Sequence, residues 1–438
     1  MPVRHSGQAL VVMLAFLGVL TAAFVLVFNV GQTVNDKMKL VNAADAAAYS
    51  AAQWEARSLN YQAYLNRAIV ANEVAIAQLV SLRSWSRYLK RTTTNVALVS
   101  QWVPPLAAPT RALARGWEAV DRGLQNGLPP FESAISHWNV DVLQNAQSVA
   151  HQQALISAAD LVSRVVKDNE PRAEISEATR LLQVRNGAEW QDRFTTRYRR
   201  GNGELRRFTD LLLTSRDGFT RARRGDLLPL GSPVQVSRRG GTDLLGEYSW
   251  RGIDTLSAHI NLVLVNQEIP IGWGAAEQRR LPVVGRGDHG GSFRTNPRAS
   301  RLASREMVPM QQYRGVPEIR DVGRPQVGGP RTLAYSVSLK LPVGQIATAD
   351  RLFLPSGLQQ LVGAPVGVTP HLPADGLHAL SSAEVHFRRP FERSDGREEY
   401  PSLFSPYWQA RLSELPIGTR SLTAPLRGLS IDPFAALP

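Results

Sequence analysis

Eight histidines carry the widest chemical range in this 438-residue chain, and they are scattered. His259 and His386, together with Glu384, fall on the polar sides of two alternating segments and would meet as metal ligands if those segments paired. Separate surface histidines are the simpler expectation. The chain contains no His-Glu-x-x-His, no Gly-x-Ser-x-Gly, no Gly-x-x-x-x-Gly-Lys and no dinucleotide-binding glycine pattern. Gly285-Arg-Gly-Asp-His-Gly-Gly-Ser292 has the glycines of a phosphate or cation loop but no helix signal after it, so a turn is expected. Arg-Gly-Asp occurs at Arg224 to Asp226 and at Arg286 to Asp288, a match too short to carry adhesion in a chain rich in arginine and glycine. With no cysteine, disulfides, thiolate metal sites and a cysteine nucleophile are excluded. No catalytic residue, metal or cofactor is expected, and the chain does not read as an enzyme.

Charge offers more. Fifty basic residues against 37 acidic ones give a net charge of +13, almost wholly from arginine, which suits acidic partners. The densest basic patch is Arg193, Arg197, Arg199, Arg200, Arg206 and Arg207, interleaved with Phe194, Tyr198 and Phe208. A solvated face, an anionic lipid or an acidic subunit would each account for it.

The elements that position these groups begin with a membrane anchor. Residues 1–8 form a short basic head, and Gln8 to Val34 is a run of 27 residues without a formal charge. Its centre, residues 9–30, would make a helix of roughly 33 Å, enough to cross a hydrocarbon core of about 30 Å. The run is too long for a cleaved secretory signal. Arg4 and the α-amino group favour an N-terminus inside. The expected placement is therefore the cell inner membrane, single-pass, with the bulk of the chain periplasmic. That side of the membrane, and the lack of a recognition motif, argue against nucleic acid as a partner of the basic patch.

Residues 31–95 are expected as a stalk helix. No proline occurs between Pro2 and Pro104 and no glycine between Gly31 and Gly116. Eight of the fourteen residues from Ala43 to Ala56 are alanine, the best helix former. Ala44, Ala47, Ala48 and Ala51 would let another helix approach closely. Asn42, Asp45, Gln53, Arg57, Asn60, Tyr64 and Arg67 recur every three or four residues along one face, as a solvated stripe or a partner contact. Glu73 lies in an apolar stretch and needs a partner, Arg67 or a neighbouring helix. Thr92-Thr-Thr-Asn95 reads as a break.

The basic head ending in Gly7, the Gln8-Ala9-Leu10 opening, and Val41-Asn-Ala-Ala-Asp-Ala-Ala-Ala48 after the apolar helix resemble the N-terminal module of the TadE/TadG-like family, assembly components of the Flp or tight-adherence pilus. The stretches Ala56 to Asn60, Tyr64 to Arg67 and Val70 to Gln78 resemble one subgroup of it. The resemblance implies a pseudopilin-like component acting through helix contacts, with the membrane and other pilus or secretion subunits as partners; an oligomer is left open. It marks Gly7 and Gln8 as the candidate processing junction, although Val12 stands where processed members carry Glu. The Asp-x-Ser-x-Ser motif of the von Willebrand type A domain borne by some members does not occur.

Beyond the stalk, residues 105–224 are expected as a helical region, with helices near 110–126, 131–167, 172–199 and 203–222 separated at Leu128-Pro-Pro130, Asn169-Glu-Pro171 and Gly201-Asn-Gly203. Ile135, Trp138, Val142, Ala146 and Val149 mark a buried face. Residues 231–412 read as β-rich. Leu256 to Leu264, Leu333 to Leu341 and Ala383 to Phe387 alternate as half-buried strands of an antiparallel sheet, with weaker strands at Val234 to Ser237 and Glu247 to Arg251. Within it, 275–330 holds eight glycines, six prolines and ten arginines and is expected as a flexible insert; 413–438 reads as an extended tail. The fold class is α+β: an N-terminal transmembrane helix continuing into a long stalk helix, a helical bundle, then a smaller antiparallel β-rich domain with long loops. The leading function is a membrane-anchored pilus or secretion component; the alternative is a membrane-tethered binding protein for an acidic envelope polymer or acidic protein partner.

Overall fold

The computed structural model describes residues 8–201, 203–226, 234–262, 265–281, 285–322, 332–347, 375–397, 399–416 and 419–423. One helix, α1 (Gln8–Ser100), runs for 93 residues, about 140 Å at 1.5 Å per residue. The expected break at Thr92 to Asn95 does not occur. The hydroxyls of Thr92, Thr93 and Thr94 donate to the carbonyls of Tyr88, Leu89 and Lys90 at 2.7, 2.9 and 2.8 Å, so their polar groups are satisfied without leaving the helix. The helix ends at Ser100, and after a short turn an extended Val103 and Pro104 open the next helix.

From there the chain folds back. The helix α2 (Pro104–His137), a π turn at Trp138–Gln144 and α3 (Asn145–Asn169) run antiparallel to α1. The contacts fix the direction, since Ser86 meets Asp121, Arg83 meets Glu132, Asn72 meets Asn139 and Ser58 meets Ala150. Leu128 to Pro130, expected as a gap, lies inside α2. An interior proline costs about 3 kcal/mol, and here the next turn docks on α1 through Glu132 and Arg83. The expected buried face also moves. Trp138, Val142 and Val149 are exposed, whereas Asn139, Leu143, Gln147 and His151 are buried. Asn139 and Gln147 bond Glu73 and Asn66 of α1, while Ile135 and Ala146 of the expected face do pack against the core, so the expected face is only partly the true interface.

The expected helix over 172–199 resolves into β1 (Glu174–Ile175), α4 (Glu177–Ala188), a second π turn and β2 (Thr195–Tyr198), followed by α5 (Leu205–Ser215). Three antiparallel sheets complete the body. β3 (Arg223–Asp226), β4 (Val234–Leu245), β5 (Ser249–Leu262) and β6 (Val265–Arg279) lie in that order; β2 pairs with β7 (Ile319–Val322). The third sheet has the order β1, β8 (Leu333–Leu341), β9 (Leu377–Phe387), β10 (Trp408–Leu412).

The alternating apolar residues of β8 are all buried, and Ala383 and Val385 of β9 with them. In β5 the pattern misleads: Leu256, Ala258 and Ile260 are half-buried while Ile253, Thr255 and Ser257 are buried. That strand is covered on both sides, by α1 and by α7 (Pro297–Glu306), which follows the single turn α6 (Ser292–Thr295). Leu264 lies outside the described residues.

The segment 275–330, expected as a flexible insert, is largely built into the body. It holds the end of β6, then α6, α7 and β7, and buries Tyr313, Val316 and Ile319 in the core. Its few apolar anchors were hidden by the arginines and glycines around them; 282–284 and 323–331 lie outside the described residues. In the expected tail, Thr419–Thr423 forms a short helix, α8, and 424–438 lie outside the described residues.

Two hydrophobic clusters share α1 as their spine. The first gathers Leu40 to Leu59 of α1 with β8, β9 and the second half of α3; the second gathers Leu65 to Val80 with Trp250, Phe208 and Tyr313. Sheet edges close on helix side chains, which removes templates for stray strand pairing. Asn95 and Arg87 donate to the carbonyls of Ile271 and Ala275 on β6, each at 2.8 Å. Asn60 pairs with both backbone groups of Trp408 on β10 at 2.9 Å, as a strand residue would.

Close approach of α1 to the β5–β6 pair rests on glycine. A Cβ on Gly274 would overlap the Ser84 carbonyl and the Tyr88 amide of α1, and one on Gly252 would lie 3.3 Å from the Val80 carbonyl. Because the obstacle at Gly274 is backbone, Gly274→Ala must push the helix off the sheet, with an expected loss of about 1–3 kcal/mol in urea unfolding of the detergent-solubilised chain. Gly116→Ala, in open space on α2, serves as the control and should be neutral or slightly stabilising.

Candidate membrane anchor and buried polar spine

The large apolar side chains at the start of α1 are open to their surroundings. Leu10, Met13, Phe16, Val19, Phe24 and Val27 are exposed, and the most apolar 18-residue window of the helix, with mean hydropathy 2.9, is entirely unburied. In water such a surface would be untenable; in a bilayer it is the required one. Gly7 lies outside the described residues, and Gln8 is the first residue of α1.

The body begins just above. Asp36, six residues or about 9 Å beyond Val30, is buried and receives Arg172 at 2.8 Å and the Ala347 N–H at 2.8 Å. Burial alone would raise its carboxyl; the Arg172 and Ala347 hydrogen bonds outweigh that and hold it below the ordinary value. Arg172 also grips Glu170 at 2.8 Å, tying the end of α3 to the base of α1.

Ala44, Ala47, Ala48 and Ala51 come next, all without solvent exposure. They pack within the first cluster against the chain's own strands β8 and β9 and against α3, so the close approach that alanine permits is taken up inside the molecule. Glu55 is buried among them. Its desolvation pushes the carboxyl up to about 8, opposed only by the Asn186 amide.

Farther along, α1 turns a polar face inward. Asn66 donates to the carbonyls of Arg320 and Leu403 at 2.8 and 2.7 Å and accepts from Gln147 at 2.6 Å. Glu73 accepts from Asn139 at 2.9 Å, Trp250 Nε1 at 2.9 Å and the Tyr313 hydroxyl at 2.6 Å. Arg67, one partner expected for it, is exposed instead. Burial raises the Glu73 carboxyl despite these three donors and the nearby Arg200. Arg83 and Glu132 form a fully buried pair at 2.8 Å, and Ser81 and Ser84 reach Thr242 and Asp254 of the sheet.

The basic patch is only partly a free surface. Arg197 pairs with Glu318 at 2.9 Å and Arg200 donates to the Val316 carbonyl at 2.8 Å, both holding the 316–318 segment. Arg193, Arg199, Arg206 and Arg207 lie at the surface. His259 bonds Asn296 beside the β3–β6 sheet, whereas His386 and Glu384 belong to β9, so these three are not brought together. Among the described residues no group of three His, Asp or Glu side chains is placed to hold a metal ion. Sequence reasoning singled out Glu73 from its apolar surroundings; Asn66, Asn139 and Gln147 carried no comparable signal, because polar residues on a helix read as solvent-facing.

Residues 7–53 match a family model described as Putative Flp pilus-assembly TadE/G-like. The match covers the anchor and the alanine-rich turns that follow it. No curated protein and no solved structure matches the chain.

Three substitutions test the spine. Glu73→Leu strands three buried donors and should cost on the order of 3 kcal/mol or more in urea unfolding, whereas Arg67→Gln should stay within about 0.5 kcal/mol. Glu55, with its folded pKa raised from the model-peptide value of 4.5 to about 8, contributes stability that is fully present below 4.5 and is lost as pH rises through 8. Thermal midpoints should therefore fall between pH 5 and 8, by up to about 1.4 kcal/mol of stability per pH unit, and Glu55→Gln should flatten that decline.

Proposed function

We propose that this chain is a non-enzymatic, single-pass component of a Flp or Tad-type pilus-assembly apparatus, anchored in the inner membrane by residues 9–30 with its body in the periplasm. The observation that carries the reading is α1 itself. Its lipid-compatible first third and the alanine-rich turns above it coincide with the family match at residues 7–53, and the same helix without interruption is the core of everything that follows. The match supports a role in pilus assembly; the pseudopilin-like mode of action, by helix contacts, is inferred from the exposed apolar helix. The envelope-polymer alternative gains no support, since patch arginines such as Arg197 and Arg200 are engaged with the chain's own 316–318 segment.

The reading is tested in a piliated host. Full-length protein with a periplasm-active reporter at its C-terminus should be active and should resist alkaline extraction from membranes, and cells lacking the chain should lose surface pili. An inactive reporter overturns the orientation, and normal piliation without the chain overturns the role.

A further inference from the structure

One face of α1 stays open along the body. From Trp54, Arg57, Tyr61, Tyr64 and Arg67 follow at the three- and four-residue spacing of a helix face, with Tyr49 on the same side below them; Trp54 is 39% exposed, Tyr61 50% and Tyr64 60%. The face lies in a channel with two walls. On one side Ser58 bonds the Ala150 carbonyl of α3, and on the other Asn60 holds Trp408 of β10. By the same periodicity the face continues downward through Phe28, Phe24, Leu17 and Leu14, all exposed. A helix lying against α1 in the bilayer would thus be led along this channel as it leaves.

Aromatic side chains and arginine are the residue types that dominate binding energy at interfaces. Arg57 and Arg67 make no hydrogen bond or ion pair among the described residues, and ten residues of helix set them about 15 Å apart. Two parallel copies of this chain, in register, would place each arginine against itself, which selects against self-pairing. We propose that this channel is the docking surface for a different single-pass membrane protein, whose helix leaves the bilayer beside α1 and presents Asp or Glu at two positions about ten residues apart. The proposal rests on the anchor assigned above and names the chemistry of the partner.

The test uses full-length protein in its native membrane. A photoreactive phenylalanine analogue replaces Tyr61 or Tyr64, with Val184, 71% exposed on α4, as the control site. The expected result is an adduct from both tyrosine positions, mapped by mass spectrometry to the membrane-adjacent helix of a single-pass protein, next to acidic residues. The double variant Arg57→Glu, Arg67→Glu should lower adduct yield about tenfold at an unchanged thermal midpoint, and reversing the partner's acidic residues should restore it. Adduct yield no higher than at Val184, adducts only between copies of this chain, adducts only with lipid, or indifference to charge reversal would each overturn the proposal. Because the readout is the adduct and not the pilus, a chain required for piliation but forming no adduct sinks the docking surface alone; an adduct in cells that pilate normally without the chain sinks the assembly role alone.

Discussion

A carboxyl group shut away from water must find donors or give up its charge, and the body of this protein is assembled around one that finds three. Glu73 on α1 receives Asn139 from the returning hairpin, Trp250 from β5 and Tyr313 from the segment before β7. These donors are separated from it by 66, 177 and 240 residues. No apolar contact could set their mutual positions as narrowly, since burial rewards area and is indifferent to direction, whereas a shared acceptor fixes distance and angle at once. Burial still raises its pKa, so ionising the carboxyl there is harder than in water. What the arrangement specifies is which strand and which turn meet the helix at that level.

The same helix meets three solvents in succession, and its sequence changes with each. From Leu10 to Phe28 it faces lipid and carries large apolar side chains all round. From Ala43 to Ala56 it faces the β8–β9 strands and α3, and alanine lets them come close. From Asn60 to Asn95 it faces strand ends and carbonyl groups, and small polar or amide side chains answer them. Gly252 and Gly274 supply on the sheet what serine supplies on the helix, room for the two backbones to approach.

This succession explains what could be read from the sequence. The anchor, the continuous helix and the β8 and β9 strands were legible because each has a single environment on its working face, so one periodicity describes it. The hairpin face at Trp138 and Val149 was misread because its true interface is polar, and a polar interface has the same pattern as a wet surface. The break at Thr92 was misread because a threonine can satisfy its hydroxyl on its own helix as readily as in a turn. The insert around Tyr313 was misread because its anchors are single residues separated by arginine and glycine, and their role depends on Glu73, 240 positions away. For the site, the alanines were visible but their occupant was not: nothing local says whether a close-packing face meets another subunit or the chain's own sheet.

Continuity of α1 has a mechanical consequence for an anchored protein. Between Gly31 and Ser100 the helix contains neither proline nor glycine, and the body is bound to it along most of that length, beginning with Asp36 and Arg172 about 9 Å above the anchor. Gly31 is the one glycine between the end of the anchor and Asp36, and α1 runs through it without a break. The tilt of the membrane segment therefore becomes the tilt of the whole body. Any neighbour that packs on the anchor inside the membrane also sets the direction in which the sheets, the hairpin and the open aromatic channel face outside it. That coupling requires no conformational change, only a helix whose apolar first part and body-bound part are one continuous element.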